Sequence, residues 1–409
     1  MPLTRQHERK DMSVLYVKEQ GALIQKRSER LLITRNNQSL LEIPIYNIDS
    51  IAVIGNVQIT SQALQTLMKN GIDVRYFAFS GKYLGCASSC MSRNIFRRLS
   101  QYQLYADMDR RMALARRIIV SKIGNQMEVI RAFRWEPAEK PADEEESVDG
   151  QSEESGHGDW RSKSQLEEPL TEEMNRLESS DRDGSPMESN GMSPNIAGHS
   201  GTTDRKAALA ELERLTERAA AAQTSNELMG IEGRASNVYF HVYGAMFHGD
   251  EFARFRGRNR RPPRDPVNAI ISLGYTFLTN EVSAALEAES FEMYMGFLHG
   301  IRYGRKSLPL DMVEEFRQPV VDRMTLRLFN KRMLQEFDFT EEDGAVMLTE
   351  DGFKKFCREF ERWMSDPACV GDGPCYRSLI RGQAAQLGRA VQHGEEYEPY
   401  CLRGRAFTL

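Results

Sequence analysis

The stretch that decides the fold is residues 14–55, VLYVKEQGALIQKRSERLLITRNNQSLLEIPIYNIDSIAVIG. Short apolar runs alternate in it with polar segments such as 19–21 and 35–38, a pattern typical of β-strands joined by tight turns. A helix is predicted over Ser61–Lys69, where apolar residues recur at helical spacing, and strands are predicted again over 72–79 and 82–87. We therefore expect a small sandwich-like β domain over residues 1–92.

Helical periodicity replaces the strand pattern after residue 93. One long amphipathic helix is predicted over 95–133, Asp204 is the expected N-cap of the next helix, and the dipeptide Asp265-Pro266 predicts the start of another. Further helices are predicted over 289–299, 310–317, 319–336 and 350–364. The sequence thus predicts an α+β protein, in which a larger helical domain over 93–409 follows the β-rich domain.

Charged residues are unevenly distributed along the chain. The formal net charge is −5, but residues 136–204 contain 19 acidic and 5 basic side chains, which leaves 49 basic and 40 acidic side chains elsewhere. This segment is rich in Ser, Gly and Pro, so it cannot bury enough apolar surface to offset the entropy of ordering it. We expect a disordered insertion within the helical domain, which is either an inert linker or a DNA mimic that competes for a basic surface.

Composition excludes several classes of protein. The sequence has no run of about 18 apolar residues that could span a membrane, and residues 1–12 lack the apolar segment of a secretory signal. Six cysteines in 409 residues are too few for a disulfide scaffold, which favours a reducing compartment. A cytoplasmic protein without a membrane partner is therefore expected.

Three places in the helical half could carry chemistry. Glu232 lies between two glycines in GIEG, His299 follows the apolar segment GFL, and Asp311 and Glu314 share a helical face at i, i+3 spacing. Taken singly, each is more typical of a structural residue: a helix-capping turn, a core histidine, or a solvated helix face. Together, the carboxylates and one imidazole form an oxygen-rich ligand set that suits Mn²⁺ or Mg²⁺ better than structural Zn²⁺.

A basic stretch, RFRGRNRRPPRDPVN over 254–268, lies between the first two of these places. Arginine guanidinium groups bind phosphate oxygens bidentately, and so many of them in one loop are hard to explain by folding. A divalent-metal site flanked by such side chains points to phosphodiester chemistry on nucleic acid. The side chains predicted to contact DNA are Arg256, Arg258, Arg260, Arg261, Arg264, Arg305 and Lys306.

These segments resemble the Cas1 family of CRISPR-associated integrases, which insert new spacers into CRISPR arrays. The resemblance rests on GIEG, RRPPRDPVNAIISLGY, GFLH, YGRKSLPLDMVEEFR and PVVDR in this order, and it covers nearly the whole chain. It implies an N-terminal β domain that forms a homodimer and a helical domain that holds a divalent metal. It also implies assembly with a small ferredoxin-like adaptation partner and the joining of 3′-hydroxyl ends of short DNA to the array.

The resemblance also implies roles for individual residues. Glu232, His299 and Glu314 match the catalytic metal ligands of the family, and Asp311 matches a neighbouring acid that supports them. The insertion at 136–204 departs from the family pattern. Two alternatives stay open: a metal-dependent nuclease that cuts branched DNA or RNA without integration, and a non-catalytic DNA-binding scaffold in which the carboxylates are structural.

Overall fold

A computed structural model describes residues 14–79, 81–88, 94–135, 201–248, 251–259, 262–371 and 373–402. All but the last four positions of the predicted insertion lie outside these ranges. The strands are β1 (Val14–Val17), β2 (Leu23–Arg27), β3 (Arg30–Arg35), β4 (Gln38–Pro44), β5 (Ser50–Ile54), β6 (Gln58–Ile59), β7 (Asp73–Phe77), β8 (Tyr83–Ala87), β9 (Phe339–Glu342) and β10 (Ala345–Leu348). The α-helices are α1 (Ser61–Lys69), α2 (Ile95–Ala106), α3 (Met108–Ala132), α4 (Gly201–Ala221), α5 (Ser225–Gly244), α6 (Pro266–Ala288), α7 (Ser307–Met312), α8 (Arg323–Asn330), α9 (Glu350–Ser365) and α10 (Tyr376–His393).

The β-rich part contains two four-stranded sheets. One has the strand order β1-β5-β7-β8, with β1, β5 and β7 parallel and β8 antiparallel, and the other has the order β4-β3-β2-β6. Helix α1 begins where predicted, because the Thr60 hydroxyl accepts a hydrogen bond from the Ala63 amide at 3.2 Å. Ile24, Leu31 and Leu67 are buried in the core that these elements share. The predicted α+β class, with β-rich residues before a helical part, is confirmed.

The first sheet also contributes to the core of the helical part. Ala52, Ile54 and Phe77 belong to that core, and the Phe77 ring stacks on Phe277 of α6 with centroids 5.2 Å apart. The β-rich and helical residues accordingly belong to one compact unit. The predicted domain boundary at 92/93 stays a prediction.

Several helix predictions were wrong in detail. The single helix over 95–133 is two helices, because the Asp107 side chain accepts a hydrogen bond from the Arg110 amide at 3.1 Å and caps α3. Helix α4 begins three residues before Asp204. One helix was predicted over 319–336. The structure instead has a π-helix over Arg317–Asp322, followed by α8, which ends at Asn330.

The predicted helix over 289–299 is an irregular segment of turns. Its apolar residues have a spacing that resembles that of a helix, but they enter the core from a loop; the buried ones are Phe291, Met293, Met295, Phe297 and Leu298. The loop is supported by Gln101, whose side-chain amide donates hydrogen bonds to the carbonyls of Glu292 and Met295 at 2.9 Å. This segment places His299 just before α7.

Helix α3 lies at the centre of the helical part. It packs against α4, α5 and the 3₁₀ turn Val313–Glu315. Because it is covered on several sides, its buried residues include polar ones, among them Lys122, Asn125 and Gln126. Within the described ranges, no helix combines the length and apolarity needed to cross a membrane.

Candidate metal centre

Glu232 lies in the middle of α5 and not at a helix start, as its flanking glycines had suggested. A Cβ atom at Gly230 or Gly233 would meet no atom within 4 Å, so the helix surface beside Glu232 is open. The Ser236 hydroxyl, one turn along, donates a hydrogen bond to Glu232 Oε1 at 2.9 Å. The Glu232 side chain keeps 27% of its surface exposed, which leaves it accessible to a ligand.

Lys122 brings the two predicted carboxylate ligands together. Its ammonium group, from α3, forms an ion pair with Glu232 Oε1 and another with Glu314 Oε2, the latter at 2.7 Å. Arg317 binds the other oxygen of Glu314 at 3.2 Å. Burial alone would raise the pKa of Glu314, but the charges of Arg317 and Lys122 outweigh it and hold that pKa below its usual value. Both carboxylates therefore converge on one buried cation.

Asp311 orients His299. The Asp311 side chain is fully buried and accepts hydrogen bonds from the backbone amides of Phe297, Leu298 and His299, the last two at 3.0 Å. Its Oδ1 also lies 2.6 Å from His299 Nδ1, which leaves Nε2 as the ring nitrogen for another ligand. Burial lowers the pKa of His299, but the hydrogen bond to Asp311 and the charge of Glu314 raise it above its usual value. The supporting role of Asp311 at a metal site stays a prediction.

The residues predicted to bind the metal are not arranged as a metal cluster in the described part of the chain. Among the residues that the structure describes, no group of three or more His, Cys, Asp or Glu side chains is arranged to hold a metal ion. Lys122 lies between the two carboxylates, and His299 is paired with Asp311. The residue types still fit a divalent ion, because two carboxylates already share one cation and the imidazole has the carboxylate partner that ligating histidines usually have.

Sequence reasoning missed Lys122 and Arg317. Lys122 could have been found as a lone cation within the apolar run of IIVSKIG, because a charged residue there must be buried with a partner. Arg317 could have been found three residues after Glu314, a spacing that puts opposite charges side by side on a helix. Both cations form ion pairs with carboxylates that were identified from the sequence.

Comparison with known proteins gives the family. The profile described as "CRISPR associated protein Cas1" matches residues 15–161 and 192–362. The chain belongs to the Cas1 family. A relative named CRISPR-associated endonuclease Cas1 3, from Thermus thermophilus, is 29% identical over 401 residues, which cover 96% of this chain and 98% of the relative.

Solved structures share the Cas1 fold. A Cas1 protein from Thermotoga maritima matches 94% of this chain and 98% of its own with a TM-score of 0.68 at 22% identity. A chain of a Cas6-RT-Cas1–Cas2 complex matches 98% of this chain with a TM-score of 0.67 at 20% identity, and the match covers 37% of that longer chain. At these identities the likeness concerns the fold alone.

Two of the arginines predicted to bind DNA support the fold of this Cas1 protein. Arg258 donates hydrogen bonds to the Asn268 side chain at 2.7 Å and to the Ser272 hydroxyl at 3.0 Å, which ties the basic loop to α6. Arg305 donates to the Gly300 carbonyl at 2.9 Å and so closes the loop after His299. These contacts give both residues a structural task, and DNA binding by them stays a prediction.

The other predicted DNA contacts are surface residues or lie outside the described part of the chain. Arg256 is exposed and pairs with Glu251 at 2.6 Å, Arg264 is exposed, and Lys306 pairs with Glu287 at 3.1 Å. Exposed ion pairs of this kind are weak, so these side chains can exchange their partners for phosphate at little cost. Arg260 and Arg261 fall outside the described residues.

A buried acid connects the carboxylate site to α6. Asp322 Oδ1 accepts a hydrogen bond from the Tyr275 hydroxyl at 2.7 Å, and Arg317 lies 4.8 Å from the centroid of the Tyr275 ring. Burial raises the pKa of Asp322 to about 6, although Tyr275 and nearby arginines lower it from what burial alone would give. Arg317, which pairs with Glu314, therefore also interacts electrostatically with Asp322.

Replacing Asp322 by asparagine is expected to change the pH dependence of stability. The pKa of this carboxyl is about 6 in the folded protein against an ordinary value of 3.8, so the folded state binds more protons between these values. Its contribution to stability is therefore present below about pH 4 and is lost as the pH rises through about 6. The unfolding free energy of Asp322→Asn minus that of the wild type should therefore increase by up to about 3 kcal/mol between pH 4 and pH 7.

Urea unfolding of both proteins at pH 4, 5, 6 and 7 measures this difference. A difference in unfolding free energy that does not vary with pH would contradict the raised pKa.

Proposed function

We propose that this Cas1 protein is a divalent-metal-dependent DNA endonuclease and integrase that joins 3′-hydroxyl ends of short DNA into a CRISPR array. The observation that carries the proposal is the convergence of Glu232 and Glu314 on one buried cation, with His299 held in place by Asp311. These are the residues that match the ligand positions of the family. The relative from Thermus thermophilus, which carries the name of an endonuclease, supports nuclease chemistry.

Glu232, His299 and Glu314 would hold Mn²⁺ or Mg²⁺. Such an ion, when bound, stabilises negative charge on the attacking and leaving oxygens of a phosphodiester. The attacking group would be a DNA 3′-hydroxyl in integration, or water when DNA is only cut, so no protein nucleophile is needed. Asp311 would keep the His299 ring oriented, and Arg317 would keep Glu314 ionised and fixed.

Charge and family membership support DNA and protein partners. Outside residues 136–204 basic side chains exceed acidic ones by 49 to 40, and exposed arginines such as Arg256 and Arg264 can bind phosphates. We propose a homodimer formed through the β-rich residues and assembly with a small ferredoxin-like subunit. The similar chain in a complex that contains Cas2 supports a small adaptation subunit as the partner.

A strand-transfer assay tests the proposal. It combines the full chain, the candidate partner subunit, Mn²⁺ or Mg²⁺, a short duplex with free 3′-hydroxyls and a supercoiled plasmid that carries a CRISPR leader and repeat. We expect covalent joining at the leader–repeat boundary that disappears when the duplex ends in 3′-dideoxynucleotides. Cutting without joining would support the structure-selective nuclease, and DNA binding with neither reaction would support the scaffold.

A further inference from the structure

We propose that Lys122 is a placeholder cation. In the metal-free protein its ammonium group holds Glu232 and Glu314 together where a divalent ion would bind, and the ion must displace it. This inference rests on the proposed function, because it assumes that these carboxylates are metal ligands. It goes further by giving a role in metal loading to a residue that is not itself a ligand.

Holding the carboxylates of Glu232 and Glu314 close together costs free energy. The Glu314 side chain is 6% exposed and lies close enough to Glu232 for both to pair with a single ammonium group. Without a cation between them, the buried carboxylate of Glu314 and the partly exposed one of Glu232 would repel each other, and Glu314 would also have lost its hydration. Arg317 does not replace Lys122, because it binds the Oε1 atom of Glu314 while Lys122 binds Oε2. Lys122 is thus the cation that offsets the repulsion between the two carboxylates.

Lys122 is buried and is held by the same two carboxylates. Its side chain is 3% exposed, and in the described part of the chain its recorded ion pairs are those with Glu232 and Glu314. A buried lysine ammonium needs acceptors for its three donors, so it will not leave the carboxylates without a competing cation. A divalent ion bound to the same oxygens would lie within a few ångströms of the ammonium group, and like charges that close repel strongly.

Hydrogen bonds from neighbouring residues hold α3 in place around Lys122. The neighbouring Ser121 hydroxyl donates to the Tyr400 carbonyl at 2.6 Å, and the side-chain amide of Asn125 donates to the Glu315 carbonyl at 2.9 Å. The first bond ties α3 to the segment that contains Tyr400, and the second ties it to the turn that carries Glu314. The lysine side chain is a flexible stem of four carbons. Rotation about the bonds of this stem would move the ammonium group away from the two carboxylates without a shift of the helix.

The consequence is a measurable competition. Removal of the ammonium group should make the metal-free protein less stable and should make Mn²⁺ bind more tightly, because the ion no longer has to break two ion pairs. Lys122→Met keeps an unbranched apolar side chain in the helix and removes the charge. Lys355→Met is the matched control, because Lys355 pairs with the buried Asp338 at 2.7 Å in a different part of the fold.

The experiment measures Mn²⁺ binding to the DNA-free full chain by electron paramagnetic resonance of free Mn²⁺ at one fixed pH and ionic strength. Thermal unfolding with and without Mn²⁺ is measured in parallel. We expect Lys122→Met to bind Mn²⁺ at least about tenfold more tightly than the wild type, with a lower metal-free melting temperature and a larger stabilisation by Mn²⁺. Lys355→Met should bind Mn²⁺ as the wild type does.

Equal or weaker Mn²⁺ binding by Lys122→Met, with the wild type still binding, would overturn the placeholder role and leave the proposed function standing. No Mn²⁺ binding by either protein would overturn both. If Lys122→Met does not fold, Lys122→Gln serves instead, because its neutral amide can still donate a hydrogen bond to one carboxylate while the charge is absent. The same gain in affinity is expected for that variant, and its absence would also overturn the inference.

Discussion

Glu232→Gln is expected to slow Mn²⁺-dependent strand transfer by at least about 100-fold while the fold is retained. Glutamine has nearly the same size as glutamate and can still accept the hydrogen bond from Ser236, but it removes the negative charge of a proposed ligand. Lys122 would stay paired with Glu314, so no buried charge is left without a partner. The rate of joining, measured in single turnover with saturating DNA, reports the loss, and thermal unfolding reports the fold.

The matched control is Glu227→Gln on the same helix. Glu227 is exposed in the first turn of α5, where its carboxylate accepts a hydrogen bond from the Gln223 amide at 3.0 Å. Its replacement should change neither the rate of joining nor the melting temperature by more than a small amount, because exposed substitutions rarely have large effects. A folded Glu232→Gln protein that joins DNA at the rate of the control would show that Glu232 is not a metal ligand needed for the reaction.

The elements that could be predicted from sequence are those whose signals are local. Helix α1 begins after a threonine cap, and α6 begins after Asp265, whose carboxylate accepts a hydrogen bond from the backbone amide of Asn268 at 2.8 Å. In both helices the capping side chain and the apolar spacing lie within one turn of each other. The alternation of short apolar runs with polar segments over residues 14–55 is equally local. Together with the helical periodicity after residue 93, it predicts the α+β class.

The misplaced elements depend on contacts between distant residues. The segment 289–299 has apolar spacing that suits a helix, but Gln101 and Asp311 satisfy its backbone from elsewhere in the chain and make a loop stable. Asp107 interrupts a continuous apolar pattern, because it caps α3 where α2 ends. Periodicity does not distinguish a core loop from a core helix.

The candidate site shows the same division. Glu232, His299 and Glu314 were identified by residue type and by the resemblance to a family, which local sequence can carry. The meeting of Glu232 and Glu314 on Lys122 depends on how α3 packs against α5 and the turn after α7, and no spacing in the sequence encodes it. Partners that arrive from another helix are the part that required the structure.

Arg377→Met is expected to lower the free energy of unfolding by about 3–5 kcal/mol. Arg377 is 5% exposed on α10 and binds Glu281 of α6 at 3.1 Å and Glu361 of α9 at 2.8 Å. Burial alone would raise the pKa of Glu281, but the charge of Arg377 outweighs it and keeps that pKa below its usual value. Loss of the guanidinium group would leave the largely buried carboxylate of Glu281 and the partly exposed one of Glu361 without this counterion.

Urea unfolding followed by circular dichroism measures the effect, with Arg389→Met on the same helix as the control. Arg389 pairs with Glu395 at 3.0 Å, and about half of each side chain is exposed, so its loss should cost at most about 1 kcal/mol. Because the expected cost for Arg377 comes from unpaired charge, adding Glu281→Gln and Glu361→Gln to Arg377→Met should recover part of the stability. Equal losses for the two arginine variants would mean that the buried cluster contributes no more than an exposed ion pair. No recovery in the triple variant would mean that it contributes through packing and not through its charges.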